Sequence, residues 1–206
     1  MNKKDIILIG AGGHSKVCID VIELEDKFRI IGLIGRSEEK GKSILGYEIL
    51  GDDSDLQNLR KVVENALIVV GQIKTSNLRK EIYNKLKSIE YVLPVIRSPL
   101  SYLSKYSSVG EGTILMHHSI INPGVSIGTN SIINSKALIE HDCKIGNHCH
   151  ISTASVLNGG VELGDESFVG SGSIIREGIR IGRECFIGMN SKVLKDLSDK
   201  ETLIKQ

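Results

Sequence analysis

The first 95 residues alternate between short apolar runs and longer amphipathic stretches. The apolar runs predict four strands, at residues 6–9, 30–34, 67–70 and 91–95. The helical spacing of apolar positions between these runs predicts three helices, at residues 16–24, 53–64 and 75–86. Strands that alternate with helices are typical of βαβ units around a parallel sheet. We therefore expect a small Rossmann-like α/β domain at residues 1–98.

From Val109 onward the pattern changes, and an aliphatic residue stands at every sixth position. Fourteen hexads follow one another without an insertion, beginning at Val109, Leu115, Ile121, Ile127, Ile133, Ile139, Ile145, Ile151, Leu157, Leu163, Val169, Ile175, Ile181 and Ile187. A period of six matches neither a helix nor a flat strand, but it fits a short strand and a turn. Three such units make a triangular coil. Since one coil cannot bury its own aliphatic residues, the coils have to stack. We therefore expect a parallel β-helix at residues 99–206.

The nearly equal numbers of basic and acidic residues argue against some classes of binding partner. The chain carries 26 basic and 25 acidic residues, which argues against a basic surface for nucleic acid. No basic amphipathic stretch suggests a membrane surface, and no apolar window reaches the ~20 residues of a spanning helix. The four cysteines lack the spacing of a disulfide scaffold, and the first residues lack the long apolar region of a signal peptide. We expect a cytoplasmic protein that binds neither nucleic acid nor membrane.

Residues 140–150 concentrate histidine and cysteine, with three of the six histidines and two of the four cysteines of the chain. Both residue types bind zinc, so a metal site is one interpretation. The hexad register puts Cys143 and Cys149 at the small fifth position, which points into the prism, whereas the histidines stand at other positions. Because four ligands would not converge, we predict no metal and assign both cysteines to the core.

His141 stands between two acids, Glu140 and Asp142. A general base needs a pKa near neutrality and an orienting partner, and either carboxylate could be that partner. A solvated surface histidine beside two acids would have the same local sequence. The spacing alone leaves both interpretations open.

The first predicted strand ends in a glycine-rich turn. Gly10 and Gly12 begin a pattern close to a dinucleotide-binding fingerprint, but Ser15 replaces its third glycine. A tight turn between a strand and a helix would contain the same glycines. The turn by itself therefore does not identify a ligand.

Four segments together carry a family resemblance over about residues 5–197. They are IILIGAGGHSK at 6–16, ILG at 49–51, LIEHDCKIGNHCHIST at 138–153 and VLNGGVELGDESFVGSGS at 156–173. The chain resembles the NeuD/PglD/PerB family of bacterial hexapeptide-repeat sugar acetyltransferases, and it looks most like the sialic acid O-acetyltransferases in that family. The resemblance implies a left-handed β-helix, a homotrimer, and direct acetyl transfer from acetyl-CoA bound between neighbouring prisms.

The same resemblance implies roles for individual residues. His141 would be the general base that takes a proton from the sugar, and Asp142 would raise its basicity. His150 would meet the acetyl thioester, and the arm of the coenzyme would lie along Gly170, Ser171, Gly188 and Met189. The sugar, with its nucleotide where there is one, would bind at Gly12, Gly13, His14, Gly35, Arg36, Gly51 and Gly71.

One position departs from the pattern of the nucleotide-sugar N-acetyltransferases, in which an acidic pair usually ends the second strand. Gly35 and Arg36 stand at that place, and a guanidinium suits a carboxylate such as that of a sialic acid. We therefore expect O-acetylation of a sialic or related nonulosonic acid in cell-surface glycan synthesis. The alternatives are N-acetylation of a UDP- or GDP-linked 4-amino sugar, and a non-catalytic trimeric β-helix scaffold.

Overall fold

The computed structural model describes residues 3–204, which form an α/β domain followed by a left-handed β-helix. The elements described in the first domain are β1 (Lys4–Ile9), α1 (Gly13–Glu25), β2 (Phe28–Ile34), a 3₁₀ turn (Ser37–Glu39), β3 (Ser43–Ile44), β4 (Tyr47–Gly51), α2 (Leu56–Leu59), β5 (Asn65–Ile68) and α3 (Asn77–Ser88). The sheet order is β3-β4-β2-β1-β5, in which β3 and β4 are antiparallel and the other pairs are parallel. No helix within residues 3–204 has the length and apolar composition needed to cross a bilayer.

Two elements of this domain are shorter than the sequence predicts. The helix expected at 53–64 is the single turn α2, because β-branched Val62 and Val63 follow it closely and favour helix less. The strand expected at 91–95 is reduced to one bridge, which Val92 makes with β5. Pro94 has no amide proton with which to continue the ladder. Both predictions were wrong in extent.

The hairpin of β3 and β4 is not predicted from the sequence. Its turn is Leu45-Gly46, and both residues have positive φ, 50° and 87°. Two positive φ angles are the geometry of a tight hairpin turn, which Asn-Gly or Asp-Gly usually signals. Because leucine stands at the first position, the sequence does not signal this turn.

The β-helix is a triangular prism of two-residue strands on three faces. Face 1 contains β6 (Ile96–Arg97), β9 (Ile114–Leu115), β12 (Ile132–Ile133), β15 (His150–Ile151), β18 (Phe168–Val169), β21 (Phe186–Ile187) and β23 (Thr202–Leu203). Face 2 contains β7 (Tyr102–Leu103), β10 (Ile120–Ile121), β13 (Leu138–Ile139), β16 (Val156–Leu157), β19 (Ile174–Ile175) and β22 (Lys192–Val193). Face 3 contains β8 (Ser108–Val109), β11 (Ser126–Ile127), β14 (Lys144–Ile145), β17 (Glu162–Leu163) and β20 (Arg180–Ile181). Residue i pairs in parallel with residue i + 18, as His150 does with Ile132 and Phe168, except at β23, where Phe186 pairs with Thr202.

The coils begin earlier than the hexad pattern at Val109 indicates, because β6 already pairs with β9. Arg97 occupies the inward aliphatic position of that first strand, and its guanidinium donates to the carbonyl of Ser101 at 3.0 Å. The arginine breaks the sequence pattern but not the pairing. The domain boundary between residues 98 and 99 stays a prediction. The interior is otherwise as predicted, since Cys143 and Cys149 are fully buried in the aliphatic core of the prism.

Two backbone features repeat with the coils. One residue at each corner has positive φ, at every sixth position from Gly112 to Asn190, and several of these residues are not glycine. A column of glycines also stacks at the corner between faces 3 and 1, at Gly110, Gly128, Gly146, Gly164 and Gly182. A Cβ on Gly164 would lie 2.6 Å from the carbonyl carbon of Gly182. Successive coils touch at this corner because no side chain stands between them.

The first domain covers face 1 of the prism. Ile6 and Leu8 of β1 share a buried core with Ile114 and Ile132, which point outward from face 1. Helix α3 runs along the corner between faces 3 and 1. Its residues Lys87, Arg79 and Lys80 bond to Glu111, Asn130 and Glu166, which lie on three different coils. One helix thus ties the first domain to several coils of the prism.

Candidate active site

A cavity of about 740 Å³ lies at the carboxyl ends of β1, β2 and β5, the edge at which open α/β sheets bind ligands. Six of the seven predicted substrate residues line it, namely Gly12, Gly13, His14, Gly35, Arg36 and Gly71. The seventh, Gly51, is buried at the end of β4 and packs against Asp55. Its carbonyl accepts the amide of Gly35 at 3.0 Å. Gly51 therefore supports the cavity wall from behind.

Sequence reasoning missed the apolar wall of the cavity and part of its rim. Ile73, Leu78 and Ile82 form the wall, and Glu39 and Asp53 add carboxylates. Ile73 and Leu78 are 66% and 55% exposed, so large apolar side chains face the open cavity. Exposed apolar surface of this kind marks a binding site in a structure. In the sequence, Leu78 and Ile82 only continue the apolar spacing of a helix, which carries no sign of a ligand.

The glycine-rich turn is shaped by Gly10 and Ser15. Gly10 has a φ of 123°, and a Cβ there would lie 2.7 Å from a methyl group of Val70, so only glycine fits. Ser15 stands where a dinucleotide fingerprint has its third glycine, and its hydroxyl donates to the carbonyl of Gly12 at 2.6 Å. Helix α1 begins at this turn without a side-chain cap. Its first amide groups and its dipole favour an anionic group in the cavity.

His14 reaches from the start of α1 into the packing between the two domains. Its Nε2 is buried and has no hydrogen-bond partner among residues 3–204. Burial, together with the positive charge of Arg79, lowers the pKa of the ring to about 3. The ring is therefore neutral near pH 7, and the residue lines the cavity at its edge.

His150 lies on face 1 beneath the first domain and is 7% exposed. Its Nδ1 donates to the carbonyl of Gln72 at 2.6 Å, and its Nε2 accepts from the amide of Asn134 at 3.2 Å. Burial lowers the pKa of His150 to about 4. A neutral ring held in one tautomer can position a ligand but is a weak base. Its role toward the acetyl thioester stays a prediction.

His141 and Asp142 lie at the corner between faces 2 and 3. The Nδ1 of His141 is 2.9 Å from a carboxylate oxygen of Asp142, and the two side chains are 65% and 73% exposed. Glu140 is engaged elsewhere and accepts the side-chain amide of Asn122 at 3.0 Å. Of the two flanking acids, Asp142 is thus the partner of the histidine. Its φ of 60° fixes the corner from which the pair projects.

The four residues predicted to line the arm of the coenzyme stack at the corner between faces 1 and 2. Gly170 and Gly188 are buried, and a Cβ on Gly170 would lie 2.5 Å from the carbonyl carbon of Gly188. Ser171 and Met189 follow them and are exposed, Met189 by 72%. The hydroxyl of Ser171 bonds to that of Ser152 at 2.8 Å. At this corner two buried glycines thus alternate with the exposed side chains of Ser171 and Met189, and the role of the four residues toward the coenzyme stays a prediction.

Within one chain the structure does not bring all of these groups together. The cavity, His14 and His150 lie at face 1. His141 lies at the corner between faces 2 and 3, which in a triangular prism is opposite face 1. A site that uses both the cavity and His141 therefore needs two copies of the chain.

Ser98, His117 and Asp20 are linked as in a catalytic triad, but they do not form an active site. The hydroxyl of Ser98 is 2.7 Å from Nδ1 of His117, and Nε2 of that ring is 2.7 Å from a carboxylate oxygen of Asp20. Ser98 is fully buried, and its hydroxyl also accepts the amide of Leu100. Because no substrate can reach the hydroxyl, these residues tie α1 to the β-helix.

Two family models match the chain. The model described as the PglD N-terminal domain matches residues 5–86. The model described as the GMPPB C-terminal domain matches residues 101–204, half of the chain, so this half belongs to that domain family.

Solved structures are similar over nearly the whole chain. PerB from Caulobacter crescentus, in complex with CoA and GDP-perosamine, is 30% identical, with 95% of this chain and 91% of that chain covered and a TM-score of 0.89. The acetyltransferase domain of PglB from Neisseria gonorrhoeae FA1090 shares the fold, with 23% identity, coverage of 97% and 96%, and a TM-score of 0.88. Both similarities confirm the α/β domain followed by a left-handed β-helix.

A curated relative matches over a shorter span. The UDP-N-acetylbacillosamine N-acetyltransferase of Bacillus subtilis (strain 168) is 27% identical over 115 residues, which are 55% of this chain and 51% of that protein. The match thus spans about half of the relative's length. Together with the PerB structure, it confirms the resemblance seen in the sequence motifs. The chain belongs to the NeuD/PglD/PerB family of acetyl-CoA-dependent, hexapeptide-repeat sugar acetyltransferases.

Proposed function

We propose that the protein transfers the acetyl group of acetyl-CoA to the amino group of a nucleotide-linked amino sugar. The cavity at the glycine-rich turn carries this proposal. Its volume of about 740 Å³ exceeds what a single sugar ring needs and lies within the ~300–1,000 Å³ of ligand sites. The uncapped start of α1 faces it and suits a diphosphate. The relatives agree, since one structure holds GDP-perosamine and one relative is named an N-acetyltransferase of a UDP-linked sugar.

The complete site, in this proposal, lies between copies of the chain in a homotrimer. The outward residues of face 2 form an apolar stripe: Tyr102, Ile120, Leu138, Val156 and Ile174. Ile120 and Ile174 are 41% and 44% exposed. An exposed apolar face of this length is what a neighbouring prism would cover. Because the stripe adjoins the corner of His141, such a neighbour would receive His141 near its own cavity.

His141 acts as the general base in this mechanism. Donation from Nδ1 to Asp142 leaves the lone pair of Nε2 free to accept a proton. As the sugar amine attacks the thioester carbonyl, its proton passes to Nε2, the C–S bond breaks, and CoA leaves as the thiolate. The acetyl group passes directly to nitrogen, and the protein contributes positioning and proton removal.

Replacing Gly159 by alanine should lower turnover while leaving stability unchanged. The ring of His141 lies over Gly159, and a Cβ there would be 2.6 Å from Nε2. Because His141 is exposed, its side chain can swing away at little cost, but Nε2 then leaves its place. We expect kcat to fall about tenfold or more, measured by thiol release, with an unchanged melting temperature. In a His141→Ala background the same change should have no further effect, and an additive loss would contradict this explanation.

Arg36 favours a second candidate, O-acetylation of a sialic acid. Its side chain is 80% exposed at the cavity, and its one ion-pair contact within residues 3–204 is Glu38 at 3.9 Å. The guanidinium is therefore free to meet a carboxylate.

The variant Arg36→Asp separates the two candidates. A sialic acid held by its carboxylate would lose a charge-assisted pair of about 1.5–3 kcal/mol, which raises KM about tenfold or more. For a nucleotide-linked amino sugar we expect little change in KM. Steady-state kinetics with each acceptor provide the measurement, and KM for acetyl-CoA provides the internal control.

The test of the proposed function is thiol release from acetyl-CoA with UDP- and GDP-linked 4-amino sugars and free sialic acid side by side. Turnover with an amino sugar alone is the expected result. Turnover with sialic acid alone would replace the proposal by O-acetylation. If no acceptor led to thiol release, the hypothesis of a non-catalytic scaffold would be favoured.

A further inference from the structure

Arg79 in α3 is a buried cation at the junction of the two domains. Its side chain is 1% exposed. One nitrogen, Nη1, donates to the carbonyls of Ile68 and Val70 at 3.0 and 2.6 Å. The other, Nη2, donates to the carbonyl and the side-chain oxygen of Asn130 at 3.1 and 2.7 Å. A single guanidinium thus joins the end of β5 to a corner of the β-helix.

The two ends of this bridge matter for the cavity. Val70 and Gly71 continue directly from β5 and line the cavity. Asn130 is fully buried, and its side chain also bonds to Nδ1 of His148 at 2.9 Å. The strand that follows His148 contains His150. Arg79 therefore connects one wall of the cavity with the segment that holds the buried histidine of face 1.

The charge of Arg79 is unusual for a purely structural bridge. Among residues 3–204 it takes part in no ion pair, and its Nε has no partner. Burial lowers its pKa to about 10, so the side chain stays charged near pH 7. A buried cation held only by carbonyls and an amide is costly unless its geometry is needed. The planar fork of arginine reaches all four oxygens at once, which a lysine cannot do.

We propose that Arg79 is a positioning residue that sets the Val70–Gly71 wall of the acceptor cavity at a fixed height relative to His150. The inference rests on the proposed function in so far as the cavity is the acceptor site. Arg79 itself lines no part of the cavity. It acts through the carbonyls of the wall on one side and through Asn130 on the other.

Two variants test the bridge from its two ends. Arg79→Lys keeps the charge and removes the fork. Asn130→Gly removes the amide, and it keeps a residue that tolerates the φ of 50° at this position. The matched control is Lys80→Met, which removes the ion pair of the next residue with Glu166 at 2.6 Å. Lys80 bonds across the domains but makes no hydrogen bond to the cavity wall.

The first measurement is amide hydrogen exchange of residues 66–72 in the unliganded protein. We expect exchange about tenfold faster in Arg79→Lys and Asn130→Gly, with Lys80→Met equal to the wild type. Exchange unchanged in both bridge variants, or equally faster in the control, would overturn the proposal. This measurement needs no substrate, so it tests the role of Arg79 even if the proposed function is wrong. Should Arg79→Lys not fold, Asn130→Gly still gives the answer.

The second measurement is kinetic and separates positioning from stability. We expect kcat/KM for the acceptor sugar to fall about tenfold to a hundredfold in both bridge variants, while KM for acetyl-CoA stays constant. Equal kinetic effects in Lys80→Met would mean that any interdomain bond has this role, and the inference about Arg79 would fall. A wild type that binds no nucleotide sugar would instead refute the proposed function.

Discussion

Replacing His141 by alanine should lower the turnover number by about 10² to 10⁴, the usual contribution of a general base. The side chain is 65% exposed, and in the described part of the chain it bonds only to its neighbour Asp142, so its loss should leave the fold and the assembly intact. Binding of both substrates should change little, because neither the cavity nor the coenzyme corner contains His141. The measurement is kcat from thiol release, with size-exclusion chromatography as the check on assembly. A variant with wild-type turnover would remove His141 as the base.

The partner residue offers a graded control for this result. Asp142→Asn removes the charge and keeps a side chain that tolerates the φ of 60° at this corner. We expect a loss of about tenfold to a hundredfold, because His141 remains but loses the carboxylate that orients its ring. A loss in Asp142→Asn larger than that in His141→Ala would point to the carboxylate, and not the ring, as the proton acceptor.

Replacing Gly164 by alanine should destabilise the protein by about 3 kcal/mol or more, the upper part of the range for overpacking. The new Cβ would lie 2.6 Å from the carbonyl carbon and 2.7 Å from the next backbone nitrogen of the following coil. Backbone on both sides of the contact is held by the ladders of faces 1 and 3, so neither coil can retreat. Chemical denaturation followed by circular dichroism, at one fixed protein concentration, measures the change in the free energy of unfolding.

A second glycine serves as the control for this effect. Gly178 has a φ of 67°, and nothing lies within 4 Å of a Cβ built there. Gly178→Asn should therefore cost little, since asparagine tolerates this conformation better than other residues with a side chain. Gly164 has no positive φ, so its conformation alone does not require glycine. If Gly178→Asn destabilised the protein as much as Gly164→Ala, contact between coils would not explain the cost at Gly164.

The sequence predicts the β-helix well because a period of six is a global signal. Each aliphatic residue of the repeat supports the register of the next one. The position of Cys143 and Cys149 within the hexad then predicts that they are in the interior. The repeat is not recognisable where a polar residue replaces the aliphatic one. Arg97 stands at such a position, and its guanidinium bonds to Ser101. In the α/β domain each element has only its own few residues as evidence. Leu45 hides a turn, and α2 ends at Leu59, five residues before the predicted end.

The candidate site is predictable in part for a related reason. The glycine-rich turn and the His141–Asp142 pair are contiguous in sequence, so motifs reveal them. The apolar cavity wall of Ile73 and Leu78 depends on how α3 is placed over the sheet, which local pattern does not encode. Arg79 looks like one more basic residue of an amphipathic helix. Its importance appears only when Val70 and Asn130, far apart in the chain, are seen on either side of it.

The pairing of residue i with residue i + 18 makes the number of a residue a measure of its height in the prism. One added residue in a strand would turn every inward side chain above it outward, and one added coil would raise all later groups by ~4.8 Å. Length can change only at a corner, as it does between faces 2 and 3 near the end. There, Leu197 bridges to Ile181 although the two are 16 residues apart. The distance between His141 and the coenzyme corner is therefore conserved by the architecture itself. New acceptor specificities in this scaffold should accordingly arise by substitution of outward residues, or in the α/β domain, and not by insertion into the coils.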